Sequence, residues 1–139
     1  MNRFNELLDP KNVKFSEIAK SLNVNLSIIY DWVNMRSMPN FDNLLKLADY
    51  FGVSVDYLMG RTDDDSEYHT KSLNKFSDQI KKVLKQKGVT KYRLFKDCDL
   101  SNSFKVRWFN KQVKPNANNL LKIANYLNVS MDELMGRII

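Results

Sequence analysis

Apolar residues recur at helical spacing, in short blocks, through the first 60 residues of the chain. Phe4, Leu7 and Leu8 share one face of a short helix that stops at the Asp9-Pro10 step. The same spacing predicts three further helices at 15–22, 26–34 and 41–51, and a last one between Ser54 and Gly60. Three polar residues that precede predicted helices are good N-cap candidates, namely Asn25, Asn40 and Ser54. The pattern therefore predicts five short helices.

The whole pattern returns after 76 residues. The segment LLKLADYFGVSVDYLMGR at 44–61 reappears as LLKIANYLNVSMDELMGR at 120–137, and the same shift pairs Trp32 with Trp108. Between residues 4–61 and 80–137, 22 of 58 positions are identical without a gap. Agreement over so long an ungapped run is very improbable by chance. We conclude that the chain holds two copies of one domain.

A polar segment separates the two copies. Residues 62–72, TDDDSEYHTKS, are acidic and lack helical periodicity, which predicts a flexible linker. The domains are then expected at 1–61 and 73–139. Only four Gly and three Pro occur in 139 residues, which favours helices with short connections over a turn-rich β fold. The predicted fold is all-α, with two tandem five-helix domains and a short acidic linker.

Positive charge is concentrated in the second copy. Residues 1–61 hold seven Lys/Arg and seven Asp/Glu, residues 62–72 hold one and four, and residues 73–139 hold fourteen and five. The net charges of these three segments are therefore 0, −3 and +9, and they sum to +6 for the whole chain. Such a balance favours acidic partners, nucleic acid above all.

Several classes of protein are not supported by the sequence. No apolar run has the length of a membrane span and no signal peptide is visible, so we expect a cytoplasmic protein without membrane contact. Cys98 is the single cysteine, and the single histidine, His69, lies in the linker beside three aspartates, where no fixed metal geometry is expected. Phosphate-loop and catalytic motifs are missing. We expect no enzymatic activity, cofactor, metal or small-molecule ligand.

The first copy contains an eight-residue helix, the turn Asn23-Val24-Asn25, a second helix with Trp32, and then Pro39 with a capped helix. This arrangement resembles the XRE family of Cro-like and phage-repressor-like helix-turn-helix regulators. It implies a lambda-repressor-like fold in which residues 26–34 form the recognition helix. Ala19 matches the small residue that lets the two motif helices cross closely. Asn23 stands at the left-handed turn position, where Gly is usual.

The resemblance also implies a binding mode, because a recognition helix fits the major groove of double-stranded DNA while the preceding helix rests on phosphates. In the first copy it places these residues against bases or backbone: Asn25, Leu26, Ser27 and Tyr30 as base readers, and Lys14, Ser16 and Arg36 on phosphates. In the second copy the corresponding set is Ser101, Asn102, Ser103, Lys105, Val106 and Arg107 near the bases, and Thr90, Lys91, Tyr92, Lys111 and Lys114 on phosphates.

The motif of the second copy departs from the pattern. Phe95 stands where the first copy has Ala19, and Lys105 stands where it has the apolar Ile29. Phe95 cannot approach a neighbouring helix as closely as Ala, so we expect a different helix crossing. An inward stripe of Leu100, Phe104 and Trp108 would turn Lys105 toward solvent or DNA. Lys81, Lys82, Lys85 and Lys87 are either a solvated helix face or a nucleic-acid contact.

The function that these features favour is a sequence-specific transcriptional regulator, a repressor of phage or mobile-element type. Our hypothesis divides the work: the second copy supplies phosphate affinity, and the first supplies selectivity or contact with a protein partner. Two linked domains suit a covalent pseudo-dimer, and a homodimer with four motifs is equally consistent. The rivals are a protein-interaction module, such as an antitoxin, antirepressor or inhibitor, and a non-specific nucleic-acid binder. Ile138 and Ile139 are either a ragged end or a dimer seam.

Overall fold

Ten helices and one pair of short strands form the regular structure of residues 3–138, which are the residues that the computed structural model describes. The chain divides into two compact units, 1–69 and 70–139. Both are mostly helical, and each holds one copy of the repeat, which confirms the predicted fold class.

Unit 1 contains the five helices that the sequence predicts. They are α1 Phe4–Leu7, α2 Phe15–Leu22, α3 Leu26–Val33, α4 Phe41–Phe51 and α5 Val55–Leu58. The Asn40 side chain caps α4 by accepting from the amide of Asn43 at 2.9 Å, and Ser54 caps α5 by accepting from Tyr57 at 3.0 Å. Asn25 occupies the N-cap position of α3, but its side chain makes no capping hydrogen bond.

The core of unit 1 is built from the apolar stripes of these helices. Helix α2 packs against both α3 and α4, while α1 packs against α3. The largest fully buried side chains of this core are Phe4, Leu8, Ile18, Leu22, Ile29, Trp32, Leu44, Leu47 and Leu58. Trp32 is thus a core anchor, and Trp108 has the same buried role in unit 2.

Unit 2 repeats the helical order and adds a strand pair. Its elements are β1 Ser72–Leu73, α6 Phe76–Lys87, α7 Lys91–Asp97, α8 Phe104–Phe109, α9 Ala117–Leu127, α10 Met131–Met135 and β2 Arg137–Ile138. The strands pair antiparallel, with Ser72 opposite Ile138. The sequence did not predict this pairing, which gives Ile138 a place in the fold of its own unit; Ile139 lies outside the described residues.

Helix α6 is much longer than its counterpart α1. In unit 1 the Asp9-Pro10 step ends the helix, because a proline disfavours the helical conformation of the residue before it. Unit 2 has Lys85-Gln86 at these positions, and the helix continues to Lys87. A longer helix gives unit 2 an outer face that unit 1 lacks.

Residues 62–72 make contacts with both units. Arg3 donates to the carbonyl of Thr62 at 3.0 Å, and the amide of Tyr68 donates to the carbonyl of Gly52 at 2.9 Å, both within unit 1. The amide of Lys71 donates to the carbonyl of Ile138 at 2.7 Å within unit 2. The contacts place the division between residues 69 and 70. The flexibility of this linker stays a prediction.

An ion pair near the end of each copy recurs at the repeat distance. Asp56 pairs with Arg61 at 2.7 Å in unit 1, where both side chains are partly exposed. In unit 2 Asp132 pairs with Arg137 at 2.9 Å, and both side chains are fully buried. Arg137 also donates through Nε to the hydroxyl of Thr70 at 2.6 Å. The same ion pair is thus partly exposed to solvent in unit 1 and buried in unit 2.

Removing the arginine should therefore cost more in unit 2. We expect Arg137→Met to lower the free energy of unfolding of unit 2 by about 3–5 kcal/mol, because Asp132 is left buried without its cation. The matched change Arg61→Met should cost unit 1 less than about 1 kcal/mol, since water reaches that pair. Urea titrations can follow each unit through its own tryptophan, with Trp32→Phe or Trp108→Phe as the background. Equal losses of unfolding free energy in the two units would contradict the conclusion that the pair of unit 2 is the more deeply buried.

Candidate nucleic-acid interface

In unit 1, α2, a tight turn and α3 form a regular two-helix motif. The small residue Ala19 is buried in α2, which packs against α3. Asn23 ends α2 in the left-handed conformation with φ 57°, as the sequence predicts. The amide of Val24 then donates to the carbonyl of Ala19 at 2.9 Å. This turn closes α2 and directs the chain into α3.

The start of α3 is open to solvent. Ile29 and Trp32 are buried and hold one side of the helix in the core. All four side chains that the sequence nominates as base readers are exposed: Asn25 before the helix, and Leu26, Ser27 and Tyr30 on it. An exposed helix end of this kind has the dimensions to enter a major groove.

Phe15, the first residue of α2, does not belong to this open surface. It is only 8% exposed, and its ring packs edge-on against that of Tyr30 with centroids 5.2 Å apart. The contact supports one side of Tyr30 while leaving its ring 47% exposed. The large apolar groups that are exposed around α3 are therefore Leu26, Tyr30 and Met35.

The charges of unit 1 are unfavourable for binding a polyanion such as DNA. Lys14 and Ser16 are exposed at the start of α2, where they can approach phosphates. Arg36 follows α3, but one of its guanidinium nitrogens lies 3.6 Å from the carboxylate of Asp31 on that helix. Residues 1–69 hold seven Lys/Arg against eleven Asp/Glu, a net charge of −4. Unit 1 thus exposes a helix that could enter a major groove, but its net charge is unfavourable for binding DNA.

The motif of unit 2 is packed differently. Phe95, at the position of Ala19, is buried against Trp108 and Phe109, with ring centroids 5.6 and 6.1 Å away. Helix α8 packs closely against α6, and it meets α7 through the side chains of Phe95, Trp108 and Phe109. Helices α7 and α8 thus approach each other less closely than α2 and α3, as expected from the size of Phe95.

The start of the second recognition segment is not helical. Helix α8 begins at Phe104, while the residues equivalent to the start of α3 form a turn. In this turn the hydroxyl of Ser101 accepts from the amide of Ser103 at 3.3 Å. Ser101, Asn102 and Ser103 are exposed on the turn, whereas Val106 and Arg107 are exposed on the helix. The nominated readers of unit 2 therefore do not share one helix face.

Three lysines of unit 2 lie over aromatic rings, and one of them, Lys96, has its Nζ 5.8 Å from the centre of the Tyr92 ring. Lys105 does not turn fully toward solvent: it is half-buried, with Nζ 5.5 Å from the centre of the Phe95 ring. The exposed Lys91 holds Nζ 4.4 Å from the centre of the Phe109 ring. Such cation–π contacts reduce the cost of placing a charge over an apolar core. They explain how unit 2 accommodates a lysine at the position of the buried Ile29.

The surface of unit 2 is strongly basic. Residues 70–139 hold fifteen Lys/Arg against five Asp/Glu, a net charge of +10. The nominated phosphate contacts are all exposed: Thr90, Lys91, Tyr92, Lys111 and Lys114. Arg93 and Lys96 are also exposed on α7, and the sequence analysis did not nominate them. The excess of Lys/Arg in this half of the chain is the signal that could have identified them.

Cys98 lies at the C-terminus of α7 and is only half-buried, whereas its counterpart Leu22 is fully buried. Burial, and then the nearby carboxylate of Asp97, raise the pKa of its thiol above the ordinary value. The thiol therefore stays protonated near neutral pH. This environment favours a packing role.

Comparison with known proteins identifies the family to which both copies of the repeat belong. A sequence model of the helix-turn-helix family matches the chain twice, at residues 6–58 and 80–134. Neither a curated protein nor a solved structure matches the chain. Within residues 3–138, no cluster of side chains is suited to hold a metal ion. None of the described helices is both long and apolar enough to cross a membrane.

The Asp31 carboxylate should weaken the interface of unit 1. We expect Asp31→Asn to raise the affinity of the full chain for duplex DNA about three- to fivefold, because one repulsive charge is removed and Arg36 is released. Fluorescence anisotropy titrations at fixed salt measure this change. Asp65→Asn is the matched control, with the same change of charge in the exposed segment before unit 2. An equal gain in both variants would show that only net charge matters.

Proposed function

Because the chain belongs to the XRE type of helix-turn-helix family, with one copy in each unit, we propose that it is a sequence-specific transcriptional regulator. The family is one of DNA-binding regulators and not of enzymes. Within it, the resemblance to Cro and to phage repressors supports a repressor of phage or mobile-element type. The single observation that carries the proposal is the well-formed motif of unit 1, with its four readers exposed at the start of α3.

We assign base reading to unit 1. Specific readout needs a rigid helix that presents side chains to base edges in a fixed register. Ile29 and Trp32 fix α3 in the core, and Asn25 and Ser27 offer hydrogen-bonding groups beside it. Leu26 and Tyr30 add apolar surface that suits the methyl group of thymine.

Unit 2 supplies affinity in this proposal. Its net charge of +10 favours the phosphate backbone, whose neutralisation dominates the free energy of many DNA complexes. Its α8 begins only at Phe104, and the non-helical segment 101–103 before it is less suited to reading bases. Since the two units share a chain, binding of one raises the effective concentration of the other. One chain or a homodimer would serve equally well.

A second candidate function has its own observation. Leu26, Tyr30 and Met35 are 42, 47 and 56% exposed and form the apolar surface of α3 and the turn after it. Exposed apolar side chains of this size are typical of protein-binding surfaces. A protein-interaction module, such as an antitoxin or antirepressor that docks through unit 1, therefore stays in competition with base reading.

Selection of duplexes from a random pool by the full chain separates these functions. We expect recovery of a defined sequence motif at both low and moderate salt. Ser27→Ala should relax the preference for one base at one or two positions, because the exposed Ser27 hydroxyl lies among the nominated readers. A mismatched base pair in a specific site typically costs about 1–3 kcal/mol, and this cost should shrink at those positions. The repeat counterpart Ser103→Ala is the matched control and should leave the motif unchanged.

Two results would contradict the proposal. Salt-sensitive binding without a motif would favour the non-specific binder that uses unit 2 alone. Absence of binding would favour the protein-interaction module, and Leu26→Ser with Tyr30→Ser should then abolish association with that partner.

A further inference from the structure

We propose that the outer face of α6 is a second binding surface for the phosphate backbone of duplex DNA, separate from the helix-turn-helix motif of unit 2. The inference rests on the proposed function, because it takes DNA as the partner. The surface consists of Lys81, Lys82 and Lys85, which we call the lysine face.

The geometry of α6 puts the three side chains together. Ile80, Val83 and Leu84 are buried and define the core side of the helix. Lys81, Lys82 and Lys85 lie within about 100° of one another on the opposite side, given 100° per residue. The only acidic side chain on that side is Asp78, one turn earlier. The lysine face therefore keeps a local excess of positive charge.

The lysines of this face are also available. Among residues 3–138, none of their ammonium groups has an ion pair or a hydrogen bond. The rise from Lys81 to Lys85 is about 6 Å, the length over which one DNA strand presents about two phosphates. A strand that runs along α6 can thus meet several ammonium groups at once.

Unit 1 provides an internal comparison. The equivalent positions there hold Asn5, Glu6 and Asp9, so that the same three sites change from −2 to +3 between the copies. Asp9 is engaged locally, where it accepts from the amide of Lys11 at 3.0 Å. The positive face is thus a property of unit 2 and not of the shared fold.

The position of the face separates it from the motif. Helix α8, which carries Val106 and Arg107, packs against α6. Because the core side of α6 receives its neighbours, the lysine face is turned away from them. DNA bound to the lysine face would therefore increase the number of phosphates that one chain neutralises, beyond those at α8.

The chemistry of the face favours nucleic acid over a lipid surface. The exposed residues of α6 are polar or charged: Asp78, Lys81, Lys82, Lys85, Gln86 and Lys87. A helix that lies in a membrane interface needs large apolar side chains to insert. This face has none, whereas phosphate contacts on DNA need only cations.

The test is the salt dependence of binding to a random-sequence duplex. The full chain is compared with the triple variant Lys81→Gln, Lys82→Gln, Lys85→Gln. The matched control, Lys11→Gln, Lys71→Gln, Lys122→Gln, changes three other exposed lysines by the same total charge. We expect the magnitude of the slope of log K against log salt to fall by about 2 in the first variant, with at least about a tenfold loss of affinity at 0.1 M salt. The control should change the slope by less than about 1.

Three results would overturn the inference. An unchanged slope would show that the lysine face is only solvated, and an equal fall in both variants would show that only net charge matters. Binding to vesicles with phosphatidylserine that depends on the three lysines, together with an unchanged slope on DNA, would assign the face to lipid. If the unmodified chain binds no duplex, the proposed function itself fails. Thermal unfolding by circular dichroism checks that both variants fold.

Discussion

The contact between the two helices of the motif decides how the second motif helix is held, and which of its side chains are exposed, in each unit. In unit 1 the small side chain of Ala19 lets α2 pack on α3, so that α3 is held as a regular helix with its first turn exposed. In unit 2 the ring of Phe95 stands at the same position, between α7 and α8, and α8 begins two residues later than α3, at Phe104. The larger side chain accounts for the wider separation of α7 and α8, because packed interiors do not absorb a phenyl ring without rearrangement.

The two copies keep the same scaffold in their second halves and differ in their net charge. The halves that follow Pro39 and Pro115 keep the caps, the leucine-rich helix and the terminal Asp-Arg pair, so the scaffold persists. The charge has instead separated, to −4 in unit 1 and +10 in unit 2. In the proposed division of work, a base-reading unit of negative net charge and a cationic unit with a less regular recognition helix complement each other, and their covalent linkage raises the effective concentration of each on DNA.

Much of this architecture could be predicted from the sequence, for identifiable reasons. The 76-residue repeat, the 3.6-residue periodicity and the cap residues Asn40 and Ser54 are local signals, and the helices of unit 1 lie where they indicate. Three features depend on tertiary contacts and were not predicted. Phe15 is buried because it packs on Tyr30, Lys105 lies over Phe95, and Ser72 pairs with Ile138 across 66 residues of chain. The nominated DNA contacts are exposed as required, and their roles stay a prediction.

The most direct test of the account asks which unit holds a fixed register on DNA. Ser37 and Val113 are equivalent exposed positions that follow α3 and α8, and the single native cysteine can be removed as Cys98→Ala. A DNA-cleaving reagent would be attached to Ser37→Cys or to Val113→Cys, and the full chain would be bound to a selected duplex. The account predicts cleavage confined to a few base pairs from position 37 and spread over a wider range from position 113. Confined cleavage from position 113 with dispersed cleavage from position 37 would contradict it.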